Sequence, residues 1–245
     1  MSSVPRSVAV LMEGLSLEGL LSLPADARSI ILFAHGSGSS RHSPRNAFVA
    51  RTLNKAGFGT LLFDLLTPLE DSRGASGPRF DIDLLADRLV GATDWLATLP
   101  ETRGLRVGYF DASTGAAAAL VAATRRPNAV SAVVSRGGRP DLAKDALVQV
   151  EAPTRLIVGG DDPEVLGLNE WARERIRNCD LVVVQGATHL FEEPGTLHQA
   201  ANHATAWFRR FLPTPSLLRA CGEGATPPNV PAPEVKEAHH AHASV

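Results

Sequence analysis

The sequence predicts an α/β fold: a doubly wound, mostly parallel sheet flanked by helices, with no cap domain and with an antiparallel hairpin at its start. Three observations carry this. Short, continuously apolar runs of strand length recur along the chain, as strands buried on both faces require. Helix-length segments separate them, and such alternation implies right-handed crossovers between parallel strands. The opening segment is different, with two strand-like runs joined directly at Gly14.

In chain order, Ser7–Glu13 and Leu15–Leu23 form the hairpin. Ser29–Ala34 is the first buried strand and runs into the glycine-rich turn His35-Gly36-Ser37-Gly38-Ser39-Ser40. A helix follows over Arg45–Ala56, with Pro44 at its start and Gly57 just past its end. Thr60–Leu65 is a strand, then comes a glycine-bearing loop with Arg73 and Arg79, then the helix Ile82–Leu99. The strand Arg106–Phe110 passes through Asp111 and Ala112 to Ser113, where the helix Thr114–Thr124 begins. Val130–Ser135 is followed by Arg136 and Arg139 and by room for one short helix, Leu142–Val150, too little for a cap. Arg155–Val158, the helix Pro163–Arg177, the strand Leu181–Val184 and the helix Thr196–Phe211 complete the pattern. Every strand-to-helix loop then lies along the carboxyl edge of the sheet, where ligands bind in such folds.

The 245 residues suit a single α/β domain, expected over residues 1–212. From 213 to 245 the chain turns Pro- and Ala-rich with no apolar period, a tail expected to stay disordered. His239, His240 and His242 in that tail have no cysteine or carboxylate to frame a metal site. A net charge of −2 gives no basis for nonspecific binding to nucleic acid or an anionic membrane. No apolar run is long enough to span a bilayer, and no secretory core opens the chain. The two cysteines, Cys179 and Cys221, make no disulfide or metal pattern, so a reducing, cytoplasmic setting is expected. Oligomeric state is left open.

The chemistry centres on Ser113. A serine at a sharp strand-to-helix turn has its hydroxyl lifted clear of the sheet, beside the free N–H groups and positive end of the helix. Alone, such a serine reads equally well as a helix cap. As a nucleophile it needs a base within reach and a third group to orient that base. Both follow in the order Ser, Asp, His. His189, in the loop after the last strand, is the base. Asp161 and Asp162 follow Thr154–Val158; only one can hold the imidazole, and Asp162 is the preferred one. The backbone N–H groups of Ser37 and Thr114 are the expected oxyanion donors. The same glycine loop lacks the Lys-Ser/Thr ending of a nucleotide P-loop, and His35 is expected to brace it. Arg41, His42 and Arg136 are the expected substrate-binding residues, with Arg45 and Arg139 on the same edge. They form either a cationic rim for an anionic substrate or scattered surface charge.

On the motifs His35-Gly36-Ser37-Gly38, Ala112-Ser113-Thr114-Gly115, Gly160-Asp161-Asp162 and Ala187-Thr188-His189, the chain resembles the α/β-hydrolase superfamily. Within it, it is most similar to the small, lidless dienelactone-hydrolase-like group, over about Ser7 to Phe211. The resemblance implies cofactor-free acyl chemistry on a small ester or lactone, through an acyl-enzyme that water hydrolyses. Two departures stand out. Dienelactone hydrolases proper use a cysteine nucleophile, where this chain has Ser113. The first glycine of Gly-x-Ser-x-Gly is replaced by Asp111, whose carboxylate is expected to oppose the oxyanion or to compete with Asp162 for His189, leaving the site less efficient than is usual in the family or somewhat displaced. If chemistry has been lost altogether, the alternative is a noncatalytic hydrolase-fold protein that binds a ligand or a partner.

Overall fold

A computed structural model describes residues 4–213. Its eight strands form one sheet in the order β1-β2-β4-β3-β5-β6-β7-β8. β1 (Arg6–Met12) and β2 (Leu15–Ser22) are the antiparallel hairpin, turned at Gly14, whose φ is +69°. β2 also runs antiparallel to β4 (Gly59–Phe63), and from there every pairing is parallel. The central strands are β3 (Ser29–Ala34) and β5 (Arg106–Ser113), followed outward by β6 (Val130–Gly138), β7 (Thr154–Gly159) and β8 (Cys179–Val184).

Among the described residues there are six α-helices, α1 (Pro44–Lys55), α2 (Pro68–Ser72), α3 (Ile82–Thr98), α4 (Gly115–Arg125), α5 (Pro163–Arg173) and α6 (Thr196–Phe211), and all but α2 pack on the sheet. Alternation along the strands divides the core in two. Tyr109 and Val133 face a layer closed by α3 and α4, with Leu89, Leu96 and Leu120 fully buried there. Phe110 and Val134 face the other layer, built from Val49 and Leu53 of α1 and Phe208 of α6. Both faces of the central strands are therefore dry, which is why they read as unbroken apolar runs.

α4 carries the alanine run Ala116–Ala119, all completely buried. Small side chains let this helix lie close against the sheet, and its first residue is held closer still. A Cβ on Gly115 would stand 2.2 Å from the Ala34 carbonyl oxygen. The start of α4 is thus tied to the end of β3 by contact that only glycine permits.

The expected elements are present, and the differences have physical causes. β5 runs on through Asp111 and Ala112 to Ser113, and β6 extends to Gly138, because pairing between these strands continues past the apolar runs. α2 is an addition to the sequence pattern: it is one short turn-and-a-half nucleated by Pro68 and a reciprocal Thr67–Glu70 capping box, with no buried residue to leave an apolar signature. Residues 140–149 form a 3-10 segment kinked at Lys144 (φ +49°) in place of a regular Leu142–Val150 helix. The connection carries no cap. The expected tail, Cys221 and the three tail histidines lie outside the described residues. Among the described residues no helix is long and apolar enough to cross a membrane.

Candidate active site

The turn from β5 into α4 places Ser113 at φ +51°, a left-handed conformation that costs a non-glycine residue on the order of 1–3 kcal/mol. The strain is held by its surroundings. The register between β5 and β6 shifts after Ala112, so that Ser113 faces Gly138, and the bulge is taken up by Gly137 at φ +54°. On the other side, Gly36 packs directly on the serine. A Cβ there would sit 2.8 Å from Ser113 Cβ, so the glycine loop after β3 approaches Ser113 as closely as backbone can.

The acid and the histidine come from the next two strand ends. The loops after β7 and β8 are laced together by Asp161 N–H donating to the Ala187 carbonyl at 3.0 Å and Gly160 N–H to that of Val184 at 2.9 Å. This turns Asp162, not Asp161, toward the imidazole, and His189 Nδ1 lies 2.8 Å from Asp162 Oδ2. With Nδ1 donating to the carboxylate, Nε2 carries the free lone pair. Glu193 secures the histidine loop by accepting from the Thr188 N–H and hydroxyl. Ser113 and His189 line one pocket of about 270 Å³, although no direct hydrogen bond joins them. Such bonds often tighten only around a substrate.

The other expected residues fall in different places. Thr114 opens α4, where no preceding carbonyl accepts its N–H. Ser37 lines the Ser113 pocket, but its N–H donates to Thr114 Oγ1 at 2.9 Å. His35 is largely buried and braces the loop: Nδ1 donates to the Gly36 carbonyl at 3.0 Å, and Nε2 accepts from Leu65 N–H at 3.1 Å. Burial lowers its pKa, consistent with that neutral tautomer.

Of the expected substrate-binding residues, only Arg136 lines the pocket. The structure corrects the placement of Arg41 and His42. Arg41 is turned toward the hairpin, where its guanidinium pairs with Asp64 and Glu18, and both residues line a separate groove between α1 and β2. Arg139 pairs with Asp141 at 2.8 Å. Arg45 does reach the pocket, from the first turn of α1.

Asp111 also differs from expectation. It shares the face of Tyr109, beneath α4 and opposite Ser135 in β6, whereas His189 is already held by Asp162. It is fully buried, and neither carboxylate oxygen has a hydrogen-bond partner. Burial pushes its pKa up to about 8, and the nearby Ser135 hydroxyl and Arg136 charge, neither in hydrogen-bond geometry with it, pull less strongly the other way. At neutral pH it is therefore mostly an uncharged acid. It neither competes for the imidazole nor sets a full negative charge against an oxyanion.

A crystal structure of a dienelactone hydrolase from Anabaena variabilis matches the chain at 54% identity and a TM-score of 0.84, over 86% of this chain and 99% of that one. The chain belongs to the dienelactone hydrolase family. The α/β-hydrolase fold is shared more widely: Est1E from Butyrivibrio proteoclasticus superposes with a TM-score of 0.71 at 15% identity, over 83% of this chain and 98% of that one. Two curated Mycobacterium tuberculosis relatives, from strains CDC 1551 and H37Rv, are 59% identical over 204 residues and bear the provisional name phosphoribosyl transferase. The match takes in 83% of this chain but only 46% of theirs, so the chain spans about half their length. No protein-family model matches the chain.

Several parts of this site leave little trace in the sequence. Asn46 and Arg45 enter the pocket because α1 starts there, and Phe191 packs beneath it at φ +56°. The Gly137-Gly138 pair, one residue past the apolar run Val130–Ser135, is the signal of the bulge in the sequence.

Proposed function

We propose that the chain is a serine hydrolase that cleaves small carboxylic esters or lactones in the cytoplasm. The observation that supports this most is the convergence of a strained Ser113 and an Asp162-oriented His189 on one pocket at the carboxyl edge of the sheet. In this reading His189 Nε2 takes the Ser113 proton as Oγ bonds to the carbonyl carbon, and the carbonyl π electrons move onto oxygen. The resulting oxyanion accepts from the Thr114 N–H and, once Thr114 Oγ1 releases it, from the Ser37 N–H. Collapse expels the alkoxide, which takes the proton from His189. Water then repeats the sequence on the acyl-enzyme, returning the carboxylic acid and free Ser113. Membership of a hydrolase family supports the reaction class, and the neutral state of Asp111 removes the main electrostatic objection to it.

One observation favours a second reading, a noncatalytic ligand binder. The Ser37 N–H is already satisfied by Thr114 Oγ1. As for the transferase name of the mycobacterial relatives, we read that activity as belonging to the half of those proteins outside the match.

The test is turnover of 4-nitrophenyl acetate together with labelling by a fluorophosphonate. Hydrolysis and labelling by the wild type, both lost in Ser113→Ala, would support the enzyme. Silence in both assays at a correctly folded wild type would leave the binder.

A further inference from the structure

The Ser113 pocket contains cation and hydrogen-bonding capacity that the hydrolytic mechanism does not use. Arg136 extends from the end of β6 and is only 6% exposed, with its Nε and Nη1 lacking any hydrogen-bond partner. Its guanidinium carbon lies 5.6 Å from the centre of the Phe191 ring, which holds the group in place without neutralising it. A buried guanidinium is costly to leave without hydrogen bonds, so a site retaining one is poised for an anion.

Around it, the remaining lining also favours negative charge. Arg45 approaches from the first turn of α1, its charge close enough to that of Arg136 to depress the latter's pKa. That pKa, about 10 with burial as the main cause, leaves Arg136 charged at neutral pH. Arg45 itself has one ion-pair partner, the exposed Glu192 at 2.9 Å, a contact weakened by solvent. The N-terminus of α1 opens on the same pocket through Ser43, whose hydroxyl caps the helix by accepting from Asn46 N–H and so keeps its own proton to donate. None of the described residues lining the pocket is acidic. One buried acceptor, Asn46 Oδ1, has no donor.

We propose that this pocket binds the phosphoryl group of a small ester. Arg136 and Arg45 would take the phosphoryl oxygens. The number of donors decides phosphoryl over carboxylate. One guanidinium edge takes two of a carboxylate's roughly four lone-pair sites, and the rest lie in the same plane, so donors arriving from outside that plane, such as the second arginine and the hydroxyls of Ser39 and Ser43, are poorly matched to it. A phosphoryl group presents three oxygens to donors arriving from several directions. The inference rests on the serine-hydrolase reading for the reaction at Ser113, but anion binding itself does not depend on that reaction.

Two measurements separate these. Binding of inorganic phosphate to Ser113→Ala, followed by calorimetry, reads the subsite without chemistry. It should weaken about 10- to 100-fold in Ser113→Ala/Arg136→Gln, recover in part with Arg136→Lys, and weaken with the surface variant Arg45→Gln. Turnover then compares three 4-nitrophenyl esters: the neutral butyrate, the carboxylate hemisuccinate and the dianionic 3-phosphonopropanoate. The kcat/KM ratio of phosphonate to butyrate should exceed that of hemisuccinate to butyrate, and should fall about 10-fold or more in Arg45→Gln. Absence of phosphate binding, or binding indifferent to both arginines, would overturn the proposal. So would a hemisuccinate preference equal to or above that for the phosphonate. Failure of all three esters with phosphate binding intact would instead count against the hydrolase and leave the subsite standing.

Discussion

Replacing Asp111 by Asn should change how stability depends on pH. Asp111 is fully buried on the α4 face of the sheet with no partner for either oxygen, and its pKa is raised from 3.8 to about 8. The folded protein therefore holds a proton there that the unfolded chain releases in the same range. With its folded pKa raised, the group's contribution to stability is fully present below about pH 4 and is lost progressively as pH rises toward about 8. At about 1.4 kcal/mol per pKa unit, the whole window amounts to on the order of 5 kcal/mol. Asn has nearly the same shape and cannot ionise, so its contribution is flat. Urea unfolding of both proteins at pH 5 and pH 8 measures the effect. The stability difference between the Asp111→Asn variant and wild type should shift toward the variant by several kcal/mol over that interval. Parallel pH curves for the two proteins would refute the claim that a protonated acid sits behind the nucleophile turn.

Asp162→Asn keeps the shape around His189 but favours the wrong tautomer, and ester turnover should fall by on the order of 10³–10⁴ in kcat with little change in KM. Thr114→Val removes the hydroxyl that engages the Ser37 N–H, and steady-state hydrolysis of 4-nitrophenyl acetate should rise about 3- to 10-fold; a fall would show that this contact positions the loop instead. Gly115→Ala places a Cβ 2.2 Å from the Ala34 oxygen, so thermal unfolding should show a loss of about 1–3 kcal/mol or more. Gly36→Ala pushes against Ser113 Cβ at 2.8 Å, and fluorophosphonate labelling of Ser113 should slow markedly while the melting temperature changes less than in Gly115→Ala.

Much of the architecture was readable from local signals, because a strand dry on both faces must be apolar throughout and a strand-to-helix turn must be punctuated by small residues. Ser113, His189 and the Asp161-Asp162 pair stood out for that reason: each lies in the turn or loop that follows an apolar run, where the carboxyl edge had to be. What local signals lacked was direction. Asp111 looked like a rival carboxylate beside the oxyanion, and only the pleat of β5 shows it facing α4, where burial keeps it uncharged. Arg41 and Arg136 looked alike as arginines following strands. Asp64 and Glu18, residues distant in sequence, claim Arg41, whereas among the described residues no carboxylate pairs with Arg136, whose Nε and Nη1 have no hydrogen-bond partner.

By itself, then, the chain's order of apolar runs, glycine turns and a Ser-Asp-His succession determined the layered fold and the sheet edge on which Ser113, Asp162 and His189 gather, since periodicity and backbone sterics act over a few residues. Tertiary packing decided which of two adjacent aspartates meets the imidazole, which N–H is already engaged, and which cation stays free in the pocket. Those choices depend on distances between strands, loops and helix ends that approach one another only once the sheet has closed and excluded water from its interior.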